Sequence, residues 1–119
     1  MTESTSDKKP VLNGLDTESR QMIIDTIKQT RNRLFTREKI LEYDKNEIFP
    51  EETIREILGP DIGLQLLFIP EAYGGMGGGA RDCCEVILEV CKICLGIGTG
   101  FFAIQLGSEP IIVGGTEEQ

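Results

Sequence analysis

Four cysteines, Cys83, Cys84, Cys91 and Cys94, stand within twelve positions of one another and carry the most reactive groups in the chain. Cys91-Lys92-Ile93-Cys94 is a CxxC pair, and with Cys83 and Cys84 the count equals the four thiolates of a structural zinc site. Helical spacing argues against that use. Successive helix positions point about 100° apart, so a single helix cannot converge four sulfurs on a tetrahedral ion. Cysteine is also a small apolar residue that is often fully buried. The four are therefore expected in the core, with no metal site. Bridges within so short a stretch would close almost no chain, so a disulfide framework is not expected either.

Glycines suggest phosphate binding. Gly74, Gly75, Gly77, Gly78 and Gly79 crowd one short loop, but no GxxxxGK[ST] is present and no Lys or Thr follows to reach a triphosphate. Gly98-Thr99-Gly100-Phe101-Phe102-Ala103 satisfies GxGxxA, with Glu117 and Glu118 near the distance where a dinucleotide fold holds the ribose. The segment before it has helical charge spacing, which leaves a dinucleotide-binding fragment as a minor alternative. The pairs Glu51-Glu52 and Glu117-Glu118 fall in first turns of expected helices, where acids meet the helix dipole favourably. Histidine is absent, which removes the commonest general base, the commonest metal ligand and every His-dependent triad. No catalytic residue is assigned.

A chain of 119 residues holds one compact domain with a modest core. Twenty acidic against twelve basic residues give a net charge of −8, which repels phosphate backbones and anionic lipid. Nucleic acid and membranes are therefore not expected as partners. The first residues lack the apolar core of a signal peptide and the Arg-rich pattern of a transit peptide. The longest uncharged run, residues 93–108, is about sixteen residues with four glycines. That is short of the ~20 a spanning helix needs. The expectation is a soluble protein in a reducing, cytoplasmic setting.

These groups must be positioned by helices. Residues 1–14 read as a disordered leader and residues 15–119 as one helical domain. Asp16 is a good N-cap, and Ile23, Ile27, Leu34 and Leu41 mark one amphipathic helix over residues 17–44. Pro50 stands where a first helical residue should be, and a short helix follows to Leu58, stopped by Gly59-Pro60. The apolar stretch 62–70 reads as a short helix and then an extended segment. After the glycine loop, a helix over residues 80–95 carries one polar stripe, Asp82, Glu85, Glu89 and Lys92, with Arg81 in its first turn. Its remaining positions are apolar, which marks a central helix packed on several sides. A fourth helix is expected over residues 99–106, stopped by Gly107. Gly115-Thr116-Glu117-Glu118-Gln119 reads as a helix start, with Thr116 and Gln119 as a capping box, so the chain is expected to continue in a longer parent.

Three segments, in order and spacing, resemble the amino-terminal domain of acyl-CoA dehydrogenases: Ile48-Phe49-Pro50-Glu51-Glu52, Ile69-Pro70-Glu71-Ala72-Tyr73-Gly74-Gly75-Met76-Gly77, and Pro110-Ile111-Ile112-Val113-Gly114-Gly115-Thr116-Glu117-Glu118-Gln119. The resemblance implies an all-α fold, an orthogonal or up-down helical bundle. It also implies a parent enzyme with FAD that dehydrogenates an acyl-CoA thioester, reoxidised by an electron-transfer flavoprotein and assembled as a homotetramer. The family's catalytic Glu and nearly all its flavin contacts lie in middle and carboxy-terminal domains. On its own, the 119-residue chain is thus expected neither to bind FAD tightly nor to turn over. What carries over is the wall of the acyl tunnel, which the resemblance places at Gly98, Thr99, Phe101 and Phe102. A free-standing helical interaction module is the main alternative.

Overall fold

The computed structural model describes residues 12–119, and the leader expected over residues 1–14 lies largely outside them. Five helices follow in order: α1 (Thr17–Leu34), α2 (Arg37–Lys45), α3 (Glu51–Leu58), α4 (Ala80–Ile93) and α5 (Leu95–Gly114). Two single 3-10 turns, Leu64–Leu66 and Glu71–Tyr73, stand between α3 and α4, and no strand occurs among the described residues. The all-α expectation holds.

The first helix begins where its cap predicts. Asp16 accepts from the Ser19 backbone N–H at 2.8 Å, satisfying one of the donors that a helix start leaves unpaired. It does not run to residue 44. Phe35 ends α1 in a non-helical conformation, and Thr36 caps α2 by accepting from the Lys39 N–H. In an unbroken helix Phe35 would point about 80° away from Ile27. The break instead puts its ring in the core beside Ile27, Ile57 and Leu64. Glu51–Leu58 forms as expected, though Pro50 occupies the cap position and supplies no side-chain bond.

The central helix α4 ends at Ile93, not at residue 95, because Cys94 is extended. Val86 and Val90 are fully buried, and they share a line with Asp82, four residues before Val86. The solvated stripe expected of Asp82 is not where it lies, for it is among the most buried side chains. Conversely Cys84 and Leu88, expected in the core, are exposed. The larger correction concerns α5. It runs unbroken from Leu95 through Gly107 and Pro110 to Gly114, twenty residues in place of the expected eight. Packing along α4 sustains it against glycines that would each cost about 1 kcal/mol in an exposed helix. On length and composition alone α5 could cross a membrane, which the interrupted reading of the sequence did not foresee.

Candidate functional site

The buried Asp82 organises the domain's entrance. Its Oδ2 accepts from the backbone N–H groups of Leu15 and Gly79, each at 2.8 Å, and its Oδ1 accepts from Arg20 Nε. Arg20 also donates to the Leu15 carbonyl at 2.9 Å. One carboxylate thereby joins the lead-in to α1, the first turn of α1, and the glycine loop before α4. Burial pushes the Asp82 carboxyl up, but the Leu15 N–H, the Arg20 guanidinium and the Gly79 N–H outweigh it and hold the group below the usual carboxylate range. A fully bonded buried acid of this kind is structural.

The glycine loop is not a phosphate cradle. Met76, Gly77 and Gly78 donate their N–H groups back to the carbonyls of Leu66, Ile69 and Leu67, between 2.7 and 2.9 Å. A phosphate needs several free N–H groups converging on one point. The glycines are required by close approach: a Cβ at Gly75 would lie 2.0 Å from the Ile69 carbonyl oxygen. The loop folds onto the preceding apolar segment and delivers the chain to α4.

The four residues assigned to the acyl wall sit on the first half of α5, and the structure divides them. Gly98 and Phe101 face inward. A Cβ at Gly98 would stand 2.3 Å from Cys91 Sγ, so glycine permits α5 to approach α4. Phe101 is buried against Phe68, with ring centroids 5.8 Å apart and planes tilted by 49°. Thr99 and Phe102 lie on the outer face, where Thr99 Oγ1 donates to the Leu95 carbonyl at 2.9 Å. Leu95, Ala103 and Leu106 are exposed with them. Spacings of four, three and four through residues 95, 99, 102 and 106 place these groups in one stripe. Reading the sequence missed Leu95 and Leu106 as part of this face. The signal was the spacing itself, hidden by assigning Leu95 to the preceding helix.

Three of the clefts among the described residues lie elsewhere on the helices. One of about 220 Å³ runs between Ile69, Pro70 and Tyr73 on one side and Ile111 to Gln119 on the other. Across it Tyr73 Oη donates to Glu117 Oε2 at 2.7 Å, a bond that raises the phenol's pKa above its ordinary value. At its edge Thr116 N–H donates to Gln119 Oε1 at 2.9 Å, and Gln119 N–H donates to Thr116 Oγ1 at 3.3 Å. The reciprocal capping pair read from the sequence therefore forms. A second cleft, about 330 Å³, lies among Tyr43, Phe49, Cys94 and Ile97, and a third, about 230 Å³, among Phe68, Ala80, Gln105 and Ile112. None of the three is lined by Gly98, Thr99, Phe101 or Phe102, and none by Lys or Arg.

The cysteines do not converge. Cys83 is buried and donates its thiol to Gln105 Oε1, Cys84 is exposed, Cys91 lies under Gly98, and Cys94 lines the second cleft. All four are free thiols, and no three His, Cys, Asp or Glu side chains among the described residues are grouped to hold a metal ion. The GxGxxA run lies inside α5 with no strand before it, so it cannot make the strand-to-helix turn of a dinucleotide site. That alternative falls.

Comparison with known proteins agrees with the segments that meet across the Tyr73–Glu117 bond. The family model of the acyl-CoA dehydrogenase amino-terminal domain matches residues 17–119. The chain belongs to the acyl-CoA dehydrogenase family. A probable acyl-CoA dehydrogenase of Bacillus subtilis (strain 168) is 31% identical over 103 residues, covering 76% of this chain and 27% of its own length. A cyclohex-1-ene-1-carbonyl-CoA dehydrogenase of Geobacter metallireducens is 28% identical over 102 residues, covering 86% of this chain and 26% of its own length. The chain thus spans about a quarter of the length of these relatives. No solved structure matches.

Proposed function

We propose that this chain is the amino-terminal helical domain of a flavin-dependent enzyme that dehydrogenates an acyl-CoA thioester at its α,β bond. The outer face of α5 serves as part of the acyl-chain pocket wall. The observation that carries this reading is the stripe Leu95, Thr99, Phe102 and Leu106, a largely apolar surface left open on the side of α5 away from the buried Gly98 and Phe101. Contiguous exposed apolar surface of this kind marks a ligand or protein contact. A pocket is concave, so the opposite wall must come from other segments of the enzyme.

The described residues do not by themselves fit FAD. A flavin diphosphate calls for basic side chains or free N–H groups, whereas the three clefts lack Lys and Arg and the glycine loop's N–H groups are bonded. No chemical step is therefore assigned to this chain. Its residues shape the pocket and exclude water from it. The wider proposal includes FAD and an electron-transfer flavoprotein as acceptor, which family membership supports, together with a homotetramer and a cytoplasmic setting.

Phe102 projects the largest side chain on the stripe, and its bulk limits how far an acyl chain extends. Phe102→Ala in the full-length enzyme is expected to raise kcat/KM for longer acyl-CoA substrates over shorter ones by about tenfold, the scale of one added methylene or more in an apolar pocket. Unchanged chain-length preference would defeat the assignment of this wall. A helical interaction module without enzymatic function would show itself if the full-length protein held no flavin.

A further inference from the structure

Helix α5 poses a problem of rotation. It is apolar on all faces, with Glu109 its one charged residue, so hydrophobic burial alone does not decide which side meets α4. Specific contacts must decide it. Two of them are steric: Gly98 against Cys91 Sγ and Phe101 against Phe68. Both lie in the first half of the helix. The third is polar and lies one turn beyond Phe101: the Cys83 thiol, buried in α4, donates to Oε1 of the half-buried Gln105. Burial raises the Cys83 pKa and keeps the thiol protonated. Turning α5 would leave the buried Cys83 thiol without its acceptor, and an unpaired buried polar group opposes the turn. Buried polar pairs of this kind are known to specify register between helices.

We infer that the Cys83–Gln105 hydrogen bond is the rotational stop that fixes which side chains of α5 face the acyl pocket, making both of them positioning residues for chain-length selection. This rests on the pocket-wall reading above. Side-chain tips on a helix lie about 5–6 Å from its axis, so a turn of about 20° shifts Phe102 and Leu106 by about 2 Å, more than one methylene's length. The stop touches no substrate. It acts by holding the stripe in place.

The test uses the full-length flavoenzyme, with kcat/KM measured across a series of straight-chain acyl-CoA substrates. Flavin content and Tm serve as controls. Gln105→Leu keeps the volume and removes the acceptor, and Cys83→Ala removes the donor. Each is expected to change the ratio of kcat/KM between neighbouring chain lengths by about tenfold, at full flavin content. Cys83→Ser keeps a donor and is expected to retain the parent profile, a rescue that a purely packing role for Cys83 would not give. Should Gln105→Leu fail to fold, the Cys83→Ala and Cys83→Ser pair decides alone. If Phe102→Ala shifts the profile while Gln105→Leu and Cys83→Ala do not, or if Cys83→Ser behaves as Cys83→Ala does, the rotational stop is refuted and the pocket wall stands. If Phe102→Ala also leaves the profile unchanged, the wall reading itself has failed.

Discussion

Helices α4 and α5 lie along each other for most of their length yet take their places by opposite means. The start of α4 is fixed by charge: Asp82, almost without solvent exposure, gathers two backbone N–H groups and the Arg20 guanidinium. Helix α5 is fixed by shape and one neutral polar bond, through a missing side chain at Gly98, a ring contact at Phe101 and the amide of Gln105. The charged device is strong and local, and it determines where the chain enters the bundle. The steric device is weaker but spread along the helix that carries the exposed stripe. On the proposed function, a wall that must match a substrate is thus carried on the element held by many small contacts.

The sharpest way to break this contrast is Asp82→Ala. It strands a largely buried Arg20 and leaves the Leu15 and Gly79 N–H groups without their acceptor. The expected loss is about 3 kcal/mol or more of unfolding free energy, measured by urea denaturation. A loss under about 1 kcal/mol would show that the carboxylate is not the fastening. Next in size is Gly98→Ala, which pushes a methyl into Cys91 Sγ and should cost about 1–3 kcal/mol. Pairing it with Cys91→Ala should restore part of the loss, a coupling that a double-mutant cycle reads directly. Additive losses would place the strain elsewhere.

The mildest effect is acid sensitivity. Because the Asp82 carboxyl is held below its ordinary value, its contribution is complete above the unfolded pKa of about 3.9. It is lost as pH falls through the lower folded value. Asp82→Asn, measured over the same range, should lack that portion of the acid limb. Superimposable limbs would assign the acid loss to other carboxylates.

Much of this architecture is written in local pattern. Asp16 capping α1, the span of α3, the start of α4 after the glycine loop and the Thr116–Gln119 pair all follow from side chains reaching only three or four positions. Failures came where a distant partner decides. The stripe through Ile27, Leu34 and Leu41 reads as one helix, but Phe35 gains more by entering the core than the backbone loses at the break. Gly107 and Pro110 look like terminators, yet a helix lying on another tolerates both. Asp82 carries no mark of burial, since two of its three partners, Leu15 and Arg20, are 67 and 62 positions away in the chain. As for the proposed wall, family resemblance alone pointed to Thr99 and Phe102, which lie exposed on α5. That Gly98 and Phe101 face inward could be known only once the approach of α5 to α4 was seen.

The reach of the Asp82 cluster has a consequence for the order of events in folding. Leu15 and Asp82 are separated by 67 positions, whereas α4 and α5 adjoin with a single residue between them. Contacts near in sequence close quickly, and those spanning long loops wait for the rest. The α4–α5 hairpin should therefore be the nucleus, and the first helix should be laid down last. Substitutions at Arg20 would then quicken unfolding while leaving the refolding rate nearly untouched.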